Sequence, residues 1–328
     1  MEEVLVSINC ITYNQEKYIA EAIESFLMQK TNFRFEIIIH DDASTDRTAD
    51  IIREYEKKYP EIIKPIIQTE NQYSKGKKIF PILWSKSIGK YIALCEGDDY
   101  WTDPYKLQKQ VDYMESDQHC SMSFHAAYKV NTNKKIIDII KPYDKECIST
   151  TQDIILGDGW FMATNSILFR KCIVENVPSF YLNCPIGDYP LQILTSTRDY
   201  AYYIDEVMSA YRFEVDGSWS KKISSKKNKV EKFLSLRKKI IQMLNEFDKY
   251  SNGKYTNVIN QKIIHDEIEM LIASKKINEL KSKKYKAVYN SLDLKEKTKI
   301  FLRWYMPDVY ARLSNIEGVI KSRLRHNE

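Results

Sequence analysis

The stretch that decides the fold is residues 91–104, which read YIALCEGDDYWTDP. It opens with a continuous apolar run at 91–95, which is typical of a strand buried on both faces of a sheet. Three carboxylates follow at once, at Glu96, Asp98 and Asp99. Because ligand sites in open α/β sheets lie at the carboxyl ends of the strands, we expect this acidic turn to line a binding site.

Three carboxylates this close together favour a bound cation, because like charges disfavour one another's ionised form. Mg²⁺ and Mn²⁺ take oxygen ligands, and Mg²⁺ is often held by one or two carboxylates, with water and phosphate oxygens in its remaining positions. The sequence therefore predicts a Mn²⁺ or Mg²⁺ site at Glu96, Asp98 and Asp99, with a nucleotide diphosphate as its partner. The alternative is a solvated loop or a helix cap, and we assign Asp103 to that alternative.

The residues before this stretch alternate between strand and helix patterns. The predicted strands are 4–11, 35–40, 62–68 and 91–95, and the predicted helices are 15–29, a helix through 51–55, and 79–87. We expect Asn14 to cap the first helix. A β-α-β-α-β-α-β order predicts a mostly parallel sheet covered by helices, so the fold class is α/β. The motifs GxGxxG and GxxxxGK[ST] are absent from the sequence, which argues against the dinucleotide-binding and P-loop classes.

Beyond residue 104 the pattern changes to antiparallel pieces. The expected elements are a helix at 104–116, a hairpin of 121–130 and 134–140, a short helix at 151–156, a strand at 161–170, and strands at 201–204 and 207–213. Between them, residues 183–190 form a turn-rich loop that brings Asp188 to the start of a helix. After residue 220 the sequence becomes rich in lysine with helical spacing of apolar residues, which we interpret as an internal helix seam.

Charge and cysteine usage suggest two regions and a location. Of the 50 basic and 45 acidic residues, 221–328 hold 26 and 12, a net of +14, and 1–220 hold 24 and 33, a net of −9. We therefore predict a catalytic domain at 1–220 and a basic helical region at 221–328. Six scattered cysteines without a CxxC pair fit a cytoplasmic protein. We expect no signal peptide and no transmembrane helix, and the basic region predicts binding to an anionic membrane surface on the inner face of the cell membrane.

Four segments together resemble the family 2 glycosyltransferases of the GT-A fold, of the kind that builds bacterial polysaccharides. They are ITYNQEKYIAEAIESFLMQ at 11–29, EIIIHDDASTDRT at 36–48, GKYIALCEGDD at 89–99 and Gly-Asp-Tyr at 187–189. The resemblance covers about residues 4–215. It implies a Rossmann-like, mostly parallel sheet flanked by helices, and an enzyme that uses a nucleotide diphosphate sugar, expected to be UDP-linked.

The resemblance also implies roles for individual residues. Tyr13 packs near the base of the nucleotide, and Asp42 accepts a hydrogen bond from its imide N–H. Asp98 and Asp99 match the acidic motif, one binding the metal and one the ribose. Asp188 matches the catalytic base, and its alternative is a cap of its own helix. Arg212 lies where a basic side chain can reach the diphosphate.

The expected reaction is the inverting transfer of a hexose-type sugar to a hydroxyl group of a glycan or a lipid-linked acceptor. Trp160, Thr164 and Asn165 are candidates for the acceptor site, because aromatic faces stack on sugar rings, although Trp160 fits core packing equally well. Two other classes stay open: a sugar nucleotidyltransferase, which would carry a glycine- and arginine-rich loop after the first strand, and a non-catalytic glycan-binding module, which would tolerate the loss of Asp188. No nucleic-acid-binding motif is recognised.

Overall fold

The structure is a computed structural model that describes residues 3–213, 215, 229–282, 284–285 and scattered positions between 290 and 310. The chain divides into two compact units, residues 1–221 and 222–328.

One sheet organises the first unit. Its strands are β1 (Val4–Thr12), β2 (Arg34–Asp41), β3 (Ile63–Ile67), β4 (Tyr91–Leu94), β5 (Tyr100–Trp101), β6 (Cys120–Val130), β7 (Ile136–Ile140), β8 (Cys147–Ser149), β9 (Leu168–Arg170) and β10 (Tyr200–Arg212). The order across the sheet is β3-β2-β1-β4-β9-β6-β10-β5, with β7 paired to β6 and β8 to β10. Strands β1 to β4 are parallel to one another where they pair. The predicted α/β class is therefore confirmed.

Helices cover this sheet and follow its strands. They are α1 (Ile19–Leu27), α2 (Thr48–Lys58), α3 (Phe80–Trp84), α4 (Lys106–Ser116), α5 (Thr151–Gly157), α6 (Ser179–Asn183) and α7 (Asp188–Ser196). In α1 the spacing of Ile19, Ile23 and Phe26 brings all three onto one buried face, where they join the core cluster beneath β1 and β2. Removing these side chains from water is the main stabilising contribution of the helix.

The prediction that Asn14 caps the first helix is wrong. Helix α1 begins at Ile19 with no side-chain cap, and Asn14 adopts the left-handed region at φ 53°. Its side-chain oxygen accepts a hydrogen bond from the Thr45 N–H, 2.7 Å away. Asparagine tolerates this backbone region better than most residues, so Asn14 joins two loops instead of starting a helix.

Two strand predictions also differ from the structure. Of the strand expected at 161–170, only Leu168–Arg170 forms, and Thr164–Ser166 make a 3₁₀ turn. Beyond it, the two strands expected at 201–204 and 207–213 are one long strand, β10, whose register against β6 shifts between Ile204 and Val207. By contrast, the predicted hairpin is confirmed, since β6 and β7 pair antiparallel.

The second unit contains α8 (Lys229–Tyr250) and α9 (Thr256–Ala273). At the predicted helical spacing, Ile240, Leu244 and Phe247 of α8 are buried. No helix among the described residues is long and apolar enough to cross a membrane.

Candidate active site

The turns that follow β1, β2 and β4 lie at one edge of the sheet. Thr12 at the end of β1 pairs with Asp41 at the end of β2, and Asn9 of β1 pairs with Leu94 at the end of β4. Because these strands are parallel, their carboxyl ends meet, and the sheet brings Tyr13, Asp42 and Glu96 to the same side of the molecule.

The loop after β1 presents Tyr13 to solvent. The backbone N–H of the next residue, Asn14, donates to Ser44 Oγ at 2.8 Å, and this contact adds to the bond between Asn14 and Thr45, so the loops after β1 and β2 are held together. The Tyr13 side chain is 42% exposed. An exposed ring on a fixed loop can stack on a planar ligand.

Asp42 is turned towards a neighbouring loop. Its two carboxylate oxygens accept hydrogen bonds from the backbone N–H groups of Gln72, at 2.7 Å, and Tyr73, at 3.0 Å. The carboxylate is buried. Its neighbour Asp41 forms a turn in the same loop, since it accepts from the Ser44 N–H at 3.1 Å. Asp42 therefore anchors the loop that follows β3.

The acidic turn is packed tightly against the end of β1. The Gly97 N–H donates to the Ile11 carbonyl at 2.9 Å. A Cβ at Gly97 would lie 2.6 Å from Gln15 Oε1 and 2.8 Å from the Thr12 Cβ, so only glycine fits there without displacement. Below the turn, burial raises the pKa of the Cys10 thiol, and the charges of all three carboxylates raise it further. The sequence prediction that these acids form one cluster agrees with this electrostatic contact.

Asp99 is committed to the interior. Its Oδ2 accepts from Asn165 Nδ2 at 3.0 Å and its Oδ1 from the Arg212 N–H at 2.8 Å. Burial raises its pKa strongly, and the charges of Asp98 and Glu96 add to this effect. Both oxygens bind protein donors in a buried position, so Asp99 has less capacity left for a metal than Asp98 has, and its direct contact with a metal stays a prediction. Asp99 joins the acidic turn to β10.

Asn165 and Arg212 are also interior residues. Asn165 is 0% exposed, and it donates to the Ala210 carbonyl at 3.0 Å as well as to Asp99, so its amide is not available to an acceptor. Arg212 is 1% exposed. Its guanidinium donates to the Asp98 carbonyl and to the Glu21 carboxylate, so in this arrangement it stabilises the acidic turn.

Asp98 and Glu96 remain as candidate metal ligands. Burial raises the pKa of Asp98, while its own backbone N–H, the Arg212 charge and a hydrogen bond from Gln15 oppose the rise. Burial also raises the pKa of Glu96 to about 8, with further contributions from the charges of Asp98 and Asp188. Glu96 Oε2 is buried and has no hydrogen-bond partner among the described residues. Such a carboxylate oxygen is suited to a cation.

Asp188 is the first residue of α7 and lies near the acidic turn, as its effect on the pKa of Glu96 indicates. Burial raises the pKa of Asp188, the Tyr189 N–H and the Lys78 charge lower it, and the charge of Asp158 raises it. The Tyr189 N–H donates to Asp188 Oδ1 at 2.8 Å. We expect Oδ2 to be the oxygen that accepts a proton, because Oδ1 already binds the Tyr189 N–H.

The open question about Trp160 is answered by its exposure of 52%, which excludes core packing. Its ring makes edge contacts with Tyr211, at 6.0 Å, and Phe213, at 6.2 Å, between ring centroids. The preceding residue is Gly159, where a Cβ would lie 3.7 Å from Asp188 Oδ2. Trp160 is therefore an exposed aromatic surface beside Asp188, and Thr164 is partly exposed on the same connection.

Two further charged residues belong to this site. Lys78 Nζ donates to the Ile186 carbonyl, 108 residues away in the chain. Glu21 binds both Arg212 and Lys134, the latter at 2.6 Å. Nothing in the local sequence distinguishes either residue from its charged neighbours.

This chain is similar to several known proteins. An uncharacterized protein of Mycobacterium tuberculosis is 36% identical over 219 residues, covering 65% of this chain and 60% of the relative. The dTDP-rhamnosyl transferase RfbG of Shigella flexneri is 28% identical over 204 residues, covering 59% of this chain and 67% of the relative. This chain thus spans less than two thirds of the length of the mycobacterial relative.

Two solved structures share the fold. TarS of S. aureus, in complex with UDP-GlcNAc, superposes with a TM-score of 0.60 at 15% identity, covering 92% of this chain and 79% of TarS. The mannosyltransferase PcManGT of Pyrobaculum calidifontis, in complex with GDP-Man and Mn²⁺, gives a TM-score of 0.56 at 14% identity, covering 98% of this chain and 90% of PcManGT. These likenesses confirm the GT-A fold. The sequence profile of glycosyl transferase family 2 matches residues 7–174, just over half of the 328 residues, and the chain therefore belongs to that family.

Proposed function

We propose that this chain is an inverting, metal-dependent glycosyltransferase that moves a hexose-type sugar from a nucleotide diphosphate to a hydroxyl group of a glycan or a lipid-linked acceptor. The observation that carries the proposal is Asp188, whose carboxylate lies close enough to the acidic turn for its charge to raise the pKa of Glu96. Sugar transfer needs a base at the acceptor and charge stabilisation at the leaving diphosphate. Asp188 and the acidic turn can divide these two tasks.

The donor is bound, in this proposal, at the carboxyl edge of the sheet. The exposed Tyr13 ring stacks on the base, and Asp42 shapes the adjoining loop through its bonds to Gln72 and Tyr73. The structural relatives are in complex with UDP-GlcNAc and GDP-Man, and a curated relative is named as a dTDP-rhamnosyl transferase. We propose a UDP-linked donor, which the TarS complex supports.

The acidic turn fits a divalent cation held by few protein ligands. The described residues contain no cluster of three or more His, Cys, Asp or Glu side chains arranged for a metal, whereas Glu96 Oε2 is buried there without a hydrogen bond. One or two carboxylates are sufficient where phosphate oxygens and water supply the other ligands. We propose Asp98 and Glu96 as the ligands of Mn²⁺ or Mg²⁺. When bound, such an ion would stabilise the charge that develops on the departing diphosphate.

The reaction itself requires one proton transfer by the protein. The acceptor oxygen forms a bond to the anomeric carbon of the sugar, its proton passes to Asp188 Oδ2, and the bond between that carbon and the diphosphate oxygen breaks. The nucleoside diphosphate leaves with the electron pair of the broken bond. Because the acceptor attacks from the face opposite the leaving group, the anomeric configuration inverts.

The acceptor and the cellular location of the protein are proposed here as well. Trp160 lies exposed beside Asp188, and an aromatic face of this kind can stack on the acceptor sugar. We propose an acceptor in surface polysaccharide synthesis. Since the basic region at 221–328 has a net charge of +14, we also propose that the protein works in the cytoplasm, bound peripherally to the anionic inner face of the cell membrane.

The test combines donor binding with product stereochemistry. Thermal unfolding with UDP-, GDP- and dTDP-sugars, each with and without Mn²⁺, identifies the donor, because a ligand that binds the folded protein raises its melting temperature. Turnover of that donor with oligosaccharide and lipid-linked acceptors is then followed by NMR, where an α-linked donor should give a β-linked product. Retention of configuration, or binding without any turnover on these acceptors, would overturn the proposed reaction.

A further inference from the structure

Lys78 connects two loops of the candidate site. Its Nζ donates to the Ile186 carbonyl at 2.5 Å and lies 5.1 Å from the centre of the Tyr181 ring. Ile186 is two positions before Asp188 in the chain. The contact is partly buried, so the ammonium group is held in place between the end of one loop and the start of the next.

The loop that carries Lys78 is itself fixed. Asp42 binds the backbone N–H groups of Gln72 and Tyr73, and the chain after Lys78 enters the core at Ile79 and Phe80. The backbone is thus anchored on both sides of Lys78, which limits the positions that the Lys78 side chain can reach. Lys78 can therefore hold the Ile186 carbonyl at a defined place.

The Lys78 ammonium group also affects the ionisation of Asp188. The Asp158 carboxylate repels its ionised form, whereas the Lys78 charge favours it. The Tyr181 hydroxyl and the Cys184 thiol also face this group of residues. Burial and the Asp158 charge raise the pKa of Asp188, and the Lys78 charge, with the Tyr189 and Asp188 N–H groups, opposes that rise.

We propose that Lys78 is a positioning residue. Through the Ile186 carbonyl it holds the loop of Asp188 against the loop that follows β3. Its positive charge also balances the negative charge around the base. This inference rests on the proposed function, in which Asp188 accepts the acceptor proton. Hydrogen bonds from a charged donor are stronger than those between neutral groups. Methionine at position 78 would fill similar space without a charge or a donor, and arginine would keep both.

The first measurement does not depend on activity. Hydrogen exchange of the full chain is compared between the wild type, Lys78→Met and Lys78→Arg, with Lys75→Met as the matched control, because Lys75 belongs to the same loop but pairs with Glu70 at the surface. We expect the amides of 184–190 to exchange at least about tenfold faster in Lys78→Met alone, since losing a charge-assisted hydrogen bond favours local opening. Unchanged exchange in this segment would overturn the proposal.

The second measurement is steady-state turnover of the donor identified above. A small displacement of a catalytic group can cost about 10²-fold in rate, so kcat should fall by about that factor in Lys78→Met while KM for the donor stays within about twofold, and Lys78→Arg should recover most of the loss. The acid limb of the pH profile should also move to higher pH in Lys78→Met. A kcat equal to that of Lys75→Met, or no recovery by arginine, would overturn the positioning role. If the wild type has no turnover, the proposed function fails, and the exchange result still decides whether Lys78 holds this loop.

Discussion

Asp98 and Asp99 are neighbours in the chain, but they have different surroundings and so different expected roles. The Asp98 carboxylate accepts a hydrogen bond from Gln15, and burial disfavours its charged form by raising its pKa. The Asp99 carboxylate accepts from Asn165 and from the Arg212 N–H. A change at Asp98 should therefore affect ligand binding, whereas a change at Asp99 should affect the fold.

We predict that Asp98→Asn removes the benefit of Mn²⁺ for nucleotide binding without lowering the melting temperature. Removing a ligand charge weakens the link between the ion and the phosphates, and removing a buried negative charge from an acidic cluster does not destabilise the protein. Asp99→Ala should instead lower stability, because each buried donor left without an acceptor costs about 1–3 kcal/mol.

Calorimetric titration of nucleotide with and without Mn²⁺, together with thermal unfolding of both variants, distinguishes these outcomes. If Asp98→Asn binds nucleotide and metal like the wild type, Asp98 is not a ligand. If Asp99→Ala melts at the wild-type temperature but loses the metal effect, then Asp99 is the ligand that the sequence motif implied.

Asp188 carries a second prediction, on pH. A base must be ionised to accept a proton, and burial raises the pKa of Asp188 above its ordinary value of 3.8. Turnover should therefore fall as the pH drops through this raised pKa, at a higher pH than an exposed aspartate would give. Asp188→Asn should lower kcat by about 10² to 10⁴ and leave donor affinity unchanged, because asparagine keeps the shape but cannot take the proton.

The measurement is the pH profile of kcat/KM, which reports ionisation in the free enzyme, beside nucleotide affinity by calorimetry. Near-normal turnover of Asp188→Asn would exclude Asp188 as the base. Loss of donor affinity together with turnover would make it a structural residue at the start of α7.

At the scale of elements, the turn after β4 depends on its contact with the end of β1. A Cβ at Gly97 would meet Gln15 and Thr12 at less than 3 Å, and overpacking of this kind costs about 1–3 kcal/mol. We predict that Gly97→Ala lowers the melting temperature and weakens nucleotide binding together, because relief of the clash must move the acidic turn.

Gly187→Ala is the matched control for this substitution. A Cβ there would meet nothing nearer than the Tyr181 hydroxyl at 3.8 Å, so stability should be unchanged. A Gly97→Ala variant as stable as Gly187→Ala, with full nucleotide affinity, would show that the turn can shift freely and does not set the geometry of the site.

The elements of this fold were predictable where a local pattern decides them. Continuous apolar runs predict that β1, β2 and β4 are buried strands, and the spacing of apolar residues predicts the buried face of α1. The order of strands and helices could therefore be predicted from the sequence. The turn at Asn165 could not be predicted from a local pattern, because the Asn165 amide binds Asp99, 66 residues earlier in the chain. The roles of Lys78 and Glu21 likewise depend on partners distant in sequence, which no periodicity encodes.

At the scale of the whole molecule, the two regions carry opposite charge. Residues 1–220 have a net charge of −9 and residues 221–328 a net of +14. A cationic segment near an anionic leaflet gains about 1 kcal/mol for each Lys or Arg held at the surface. We predict that the full chain sediments with anionic vesicles at low salt, and that salt releases it, because the attraction is screened.

Two matched triple variants distinguish the effect of the lysines on α8 from the effect of the net charge of the whole chain on vesicle binding. Lys229, Lys238 and Lys239 are exposed on α8, and Lys57, Lys58 and Lys64 are exposed in the first unit. Replacing the first set by glutamine should weaken vesicle binding by about 10²-fold, from about 1 kcal/mol per lysine, whereas the second set should leave it nearly unchanged. Equal losses in both would mean that net charge alone drives binding, and sedimentation that neither salt nor the first set alters would remove the membrane hypothesis.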